Sequence, residues 1–144
     1  MASLFFFGTL LDADVRRIVT GREFALEPAW LAGYRTVFLP SRAYPMLIRH
    51  PAGRTEGGMA LDVDQEALAR LVFYEGDEYE LRPLDVLRKA DGRKLGCQAF
   101  MTKPAIKPGD KPWSLDLWQR RHKAAFLRAV RFSQRCGWSR ANPN

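Results

Sequence analysis

The chain opens on four apolar, β-prone residues, Leu4-Phe5-Phe6-Phe7, which give way to Gly8-Thr9-Leu10-Leu11 and then Asp12. Such a run predicts a buried strand. Gly8-Thr9 allows a sharp turn. Asp12 is placed to cap a short helix over 13–20, with Val15, Ile18 and Val19 on one side and Gly21 at its end. Strands are predicted at 30–39, closed by Pro40-Ser41, and at 44–49, followed by a turn at His50-Pro51-Ala52-Gly53; a further strand covers 55–63. Asp64 then caps a second helix whose Ala67, Leu68, Leu71 and Val72 fall at helical spacing, with Gly76 ending it. Segments 79–89 and 94–102 predict a hairpin around Asp91-Gly92. The proline-bearing stretch 103–112 reads as a linker. From about Ser114 one amphipathic helix is expected. Leu115, Trp118, His122, Ala125, Phe126, Ala129, Val130 and Phe132 fill one arc of it, and Arg120, Lys123, Arg128, Arg131 and Arg135 the other. Five or six strands with short interposed helices predict an α+β fold built on a small mixed sheet.

A length of 144 residues with 47% hydrophobic content predicts one folded domain rather than a disordered chain. No basic leader with an apolar core and no membrane-length apolar run is seen, so a cytoplasmic protein without membrane insertion is expected. Cys97 and Cys136 fall in different predicted elements without metal-type spacing, and free thiols are expected. The net charge of +7 is confined to the tail. Residues 1–110 balance, whereas 111–144 hold eight basic residues against Asp116 alone. The division that follows is a domain at 1–110 and a basic C-terminal helix and tail at 111–144 that pack on it. Trp118 and Phe126 lie opposite the arginines and cannot stack bases beside them, so nucleic acid is not the expected partner.

Candidate chemistry is concentrated in two places. A strand, a glycine turn and a helix start present consecutive backbone N–H groups to one point, a geometry that suits a carboxylate or phosphate. The second is Glu75, in the last turn of the second helix. The helix dipole, the apolar Phe73 and Tyr74, and the neighbouring Asp77, Glu78 and Glu80 are all expected to raise its pKa, toward a value suited to proton transfer near neutrality. Tyr44 and Tyr79 are either pocket-lining or core residues with a polar tip. His122, on the apolar face of the last helix, is expected to be a hydrogen-bonded core histidine, and neither it nor His50 belongs to a triad or metal cluster.

Four short motifs in order carry a resemblance: Phe7-Gly8-Thr9-Leu10, Arg42-Ala43-Tyr44-Pro45, Gly57-Gly58-Met59-Ala60-Leu61, and Tyr74-Glu75-Gly76 followed by Tyr79. Over roughly residues 3–101 the chain resembles the γ-glutamylcyclotransferase-like (avirulence-induced-gene-like) family. The resemblance implies closure of the mixed sheet into a small β-barrel with short flanking helices. It also implies an activity, in which the α-amino group of a small γ-glutamyl amine or peptide attacks its own γ-carbonyl, closing 5-oxoproline and releasing an amine. Glu75 is then the general acid/base, and Phe7, Gly8, Thr9, Leu10, Tyr44 and Tyr79 bind substrate, with no cofactor and no metal required. The family commonly has Tyr where Phe7 stands, and an arginine two residues beyond the later tyrosine, whereas Arg82 follows Tyr79 by three. Two alternatives stay open: a non-catalytic binding module for a small carboxylate, and a protein that holds nucleic acid or an anionic surface through its basic helix. The leaving amine is unspecified, and a monomer or homodimer is expected.

Overall fold

The computed structural model describes residues 2–40 and 42–135, with side chains described up to residue 130. Ser41, Cys136 and the side chains of Arg131, Phe132 and Arg135 lie outside the described residues. Five strands close a barrel in the order β1-β3-β2-β4-β5. They are β1 (Ala2–Phe6), β2 (Glu27–Phe38), β3 (Pro45–Val63), β4 (Tyr79–Arg88) and β5 (Lys94–Thr102). Four of the five pairings are antiparallel, and the parallel contact of β1 with β5, at Leu4 and Gln98, shuts the barrel. The expected α+β mixed barrel is what the chain forms.

The expected turn at His50-Pro51-Ala52-Gly53 is replaced by a kink within one long strand, so the strands at 44–49 and 55–63 merge into β3. Ala32 pairs with Arg54 but Tyr34 pairs with Arg49, which leaves the four residues 50–53 bulged opposite Gly33. Gly33 takes φ 84°, a conformation that favours glycine, and this lets β2 follow the bend.

Asp12 and Asp64 cap α1 (Ala13–Thr20) and α2 (Gln65–Glu75) as their sequence positions predict. Asp12 Oδ1 accepts from the Asp14 and Val15 N–H groups at 2.9 and 3.2 Å, and Asp64 Oδ1 from Ala67 N–H at 2.9 Å. The buried stripe of α2 is Ala67, Leu71 and Tyr74; Val72, expected inside, faces solvent. Along β1 the side chains alternate. Leu4 and Phe6 join the core that the helices cover, while Phe5 and Phe7 join a second core with Leu31, Leu47, Met59 and Val86.

The expected single C-terminal helix is broken at His122 into α3 (Leu115–Arg121) and α4 (Lys123–Arg135). His122 has φ −123° and ψ −22°, which reorients the second segment. Trp118, Phe126 and Val130 are buried, but Ala125 and Ala129, expected on the same arc, are exposed. His122 is half-buried at the break instead of being a hydrogen-bonded core residue. Lys123 also departs from the solvated face. Its Nζ lies 2.8 Å from both Asp12 and Asp14, and Gln119 Nε2 donates to Asp12 at 2.9 Å. Burial pushes the Asp12 carboxyl up, but the hydrogen bonds from Lys123, Gln119 and the Val15 N–H outweigh it and hold its pKa below the usual value. The linker is not free either. Phe38 N–H donates to Lys111 O, Gly109 N–H to Phe38 O and Trp113 N–H to Thr36 O, so the stretch runs along β2 into α3. No helix of the described residues is long and apolar enough to cross a membrane.

Candidate active site

The end of β1, a 3-10 turn at Thr9–Leu11, the start of β3 and the end of α2 converge on one cleft. All seven residues singled out from the sequence line it: Phe7, Gly8, Thr9, Leu10, Tyr44, Glu75 and Tyr79. Its space amounts to about 380 Å3 counted out to the mouth, although only about 20 Å3 is open to the centre of a water molecule. The first figure takes in open solvent at the mouth; the second is room for about one water. The cleft is therefore narrow at its floor.

Two hydrogen bonds set its shape. Thr9 Oγ1 and Tyr74 Oη are 2.8 Å apart and buried, which ties the Gly8-Thr9 turn to the residue before Glu75. Tyr79 Oη donates to Pro45 O at 2.7 Å, which ties the start of β4 to the Tyr44-Pro45 element. Arg16 braces the turn from behind, its Nη1 donating to Leu10 O at 3.0 Å and Leu11 O at 2.8 Å. Gly8 is required here by packing. A Cβ at that position would stand 2.7 Å from Pro45 Cγ.

Glu75 is partly buried at the end of α2, and burial pushes its pKa from 4.5 up to about 8. Desolvation is the cause, as an apolar surround would have it. Of the two neighbours named for that surround, Tyr74 is fully buried and Phe73 is 40% exposed. Glu78 is paired with Arg42 and Glu80 with Arg82, so their charges are largely neutralised locally. The enclosure comes from Tyr44, Tyr74 and Tyr79. Burial raises all three phenols, Tyr44 to about 12, and the nearby Glu75 carboxylate raises them further. Arg42 pulls the other way on Tyr44 and Tyr79, so this arginine, rather than Arg82, is the cation that reaches the tyrosines.

Tyr74, Pro45, Phe5, Phe6 and Phe100 also line the cleft, and none of them was expected from the sequence to bind substrate, Tyr74 being read there only as an apolar neighbour of Glu75. For Tyr74 a signal existed. It falls seven residues after Ala67 and three after Leu71, on the inward stripe of α2. No group of three or more His, Cys, Asp or Glu placed to hold a metal occurs among the described residues.

A family model described as "Gamma-glutamyl cyclotransferase, AIG2-like" matches residues 4–120. The chain belongs to that family. AIG2-like protein A of Arabidopsis thaliana is 26% identical over 137 residues, covering 93% of this chain and 82% of the relative. Protein AIG2 C of the same organism is 24% identical, covering 99% and 85%. A solution structure of an Arabidopsis thaliana protein superposes with TM-score 0.67 at 25% identity, covering 94% of this chain and 91% of that one. A structure named Gamma-glutamyl cyclotransferase shares the fold at TM-score 0.57 and 13% identity, covering 83% and 96%. Family membership brings a small-molecule substrate with it.

Proposed function

We propose that the protein cyclises the γ-glutamyl group of a small γ-glutamyl amine or peptide to 5-oxoproline. The observation that carries this reading is the Glu75 carboxyl, desolvated to a pKa of about 8 and ringed by three tyrosines opposite the Gly8-Thr9-Leu10 turn. A carboxyl of that pKa exchanges protons with an amine near neutrality at little cost, which suits general acid/base work. Glu75 takes a proton from the substrate's α-ammonium. The freed amine attacks the γ-carbonyl and the ring C–N bond forms; Glu75 gives its proton to the departing nitrogen as the other C–N bond breaks, and the second proton, shed by the ring nitrogen, passes through the regenerated Glu75 carboxylate to the released amine, which leaves as an ammonium.

Both reacting groups belong to one molecule, so the site's main task is to hold the chain folded with amine against carbonyl. The leading N–H groups of a 3-10 turn have no partner within the turn. Those at Gly8, Thr9 and Leu10 hold the substrate α-carboxylate or the developing oxyanion. Phe7 adds a ring without the hydroxyl common in the family, which leaves orientation to Tyr44 and Tyr79.

Glu75→Gln keeps the size of the side chain and cannot carry the proton. Its rate of 5-oxoproline release from a panel of γ-glutamyl compounds should fall about 10²–10⁴-fold. The parent's kcat/KM should rise with pH up to about 8, as Glu75 reaches the carboxylate form that accepts the proton. A variant within a factor of about three of the parent is far outside that range and would remove Glu75 from the mechanism. Binding without release by the parent would instead favour a binding module.

A further inference from the structure

The Gly8–Leu11 turn is held from behind by a guanidinium, and the bonds that hold it run in series. Arg16 Nη1 donates to Leu10 O at 3.0 Å and to Leu11 O at 2.8 Å. Each of these carbonyls shares a planar peptide unit with the N–H that follows it, so resonance passes polarisation from one to the other. The first unit continues through Leu11 N–H, which donates to Gly8 O at 3.0 Å, and the second through Asp12 N–H, which donates to Thr9 O at 3.0 Å. Gly8 O and Thr9 O belong in turn to the peptide units that carry the Thr9 and Leu10 N–H groups. Two chains of hydrogen bonds therefore start on one cation and end on N–H groups of residues that line the Glu75 cleft. Bonds linked in this way strengthen one another, by about 10–30% each.

Bracing a turn calls only for donors, which a neutral side chain supplies. The charge is an added cost. Burial holds the Arg16 pKa below its usual value, the Asp12 carboxylate acts against that, and the guanidinium stays protonated. Both oxygens bonded by Nη1 are backbone carbonyls, and the buried Nε has no hydrogen-bond partner among the described residues. Asp12 is itself bonded to Lys123 and Gln119, so it offsets the Arg16 charge only in part. We infer that Arg16 is a positioning residue that charges the turn from behind, so that the grip of the Thr9 and Leu10 N–H groups on a substrate's α-carboxylate depends on the Arg16 cation. The inference rests on the cyclotransferase reading and adds to it a residue that does not line the cleft. A partly buried cation is screened by salt less than a surface one, so its field reaches the turn in physiological buffer.

The test follows alanine release by the full chain from γ-glutamyl-alanine and from its α-carboxamide counterpart, in which the glutamyl carboxylate is an amide. Arg16→Gln keeps N–H donors and removes the charge, whereas Arg16→Lys keeps the charge. The readout is the ratio of the two kcat/KM values, carboxylate over carboxamide, because a purely structural brace lowers both alike. Arg16→Gln should reduce that ratio about fivefold or more, the scale of one charge acting through partly dry protein. Arg16→Lys should keep it within a factor of about two of the parent's. Where the carboxamide turns over too slowly to time, the ratio is taken between its inhibition constant and the KM of γ-glutamyl-alanine. A ratio that Arg16→Gln leaves unchanged, whether both rates fall together or neither falls, overturns the inference. An equal drop in Arg16→Lys does the same, and either result leaves the reaction standing. If Arg16→Gln does not fold, Arg16→Met, which fills the space without charge or donor, is read in its place. Alanine release from neither compound by the parent overturns the reaction and the role of Arg16 with it.

Discussion

Glu75→Gln should stabilise the protein at alkaline pH while removing its activity, and the size of the effect follows from the carboxyl's surroundings. The folded chain raises this pKa from 4.5 to about 8, so it prefers the protonated acid and retains a proton that the unfolded chain releases. The associated stability is fully present below pH 4.5 and is lost as pH rises through 8. At about 1.4 kcal/mol per tenfold change in the proton equilibrium, the loss between pH 5 and pH 9 comes to about 4 kcal/mol. Glutamine has no such proton, so the stability difference between variant and parent should widen by that amount over the interval. Urea unfolding followed by circular dichroism at pH 5 and pH 9 measures it. On a domain of this size the same gap moves the thermal midpoint by roughly 10 °C. Tyr44, Tyr74 and Tyr79 have pKa values raised above 10, so their own titration intrudes little below pH 9. A stability difference that changes by less than about 1 kcal/mol, equivalent to under one pH decade of shift, would show that the Glu75 carboxyl is not desolvated, and the main argument for its role would fall with it.

Phe126→Ala should cost about 3–5 kcal/mol, the usual range for a buried phenylalanine, because Phe126 is 6% exposed and packs edge-on against Tyr74 and Trp118 at 6.1 and 5.4 Å. It should also lower turnover in the remaining folded protein by loosening Tyr74; an unchanged melting temperature would mean that α4 does not pack as described. Gly8→Ala should cost about 1–3 kcal/mol as an overpacked contact with Pro45, and should weaken binding of a non-cyclising γ-glutamyl analogue by calorimetry. An undiminished midpoint and affinity would show that the proline ring yields and that Gly8 is dispensable.

The parts of the structure that local chemistry dictates were legible in the sequence. Asp12 and Asp64 cap their helices because a short carboxylate before a helical run reaches the free N–H groups, and Gly21 and Gly76 end them. Failures arose where tertiary context overrides a local signal. Pro51 and Gly53 read as a turn, yet Gly33 across the ladder absorbs the extra residues as a bulge and β3 runs on. The last helix has a continuous apolar period, but the break at His122 turns Ala125 and Ala129 out and Lys123 in toward Asp12 and Asp14. At the candidate site the residue types were readable and the source of the perturbation only in part. Nearby acids in sequence suggested charge repulsion on Glu75, whereas Glu78 and Glu80 are held by Arg42 and Arg82, and the desolvating wall comes from Tyr44, 31 residues upstream, together with the nearby Tyr74 and Tyr79.

That wall gives the C-terminal helices a place in the argument about function. Tyr74 bonds to Thr9 on one side and meets Phe126 on the other, so the ring that separates Glu75 from the bulk protein is positioned by α4 as much as by α2. Asp12 carries the same coupling by charge. It caps α1 immediately after the Gly8–Leu11 turn, and its pKa stays low against burial through Lys123 and Gln119, which belong to the C-terminal helices. A buried carboxylate deprived of such partners is costly, whereas exposed pairs such as Arg120–Asp116 contribute little. Among the described residues of the tail, Lys111, Arg120, Arg121 and Arg128 are exposed, whereas Lys123 turns inward and, with Trp118 and Phe126, braces the front of the chain beside Tyr74 and so beside Glu75.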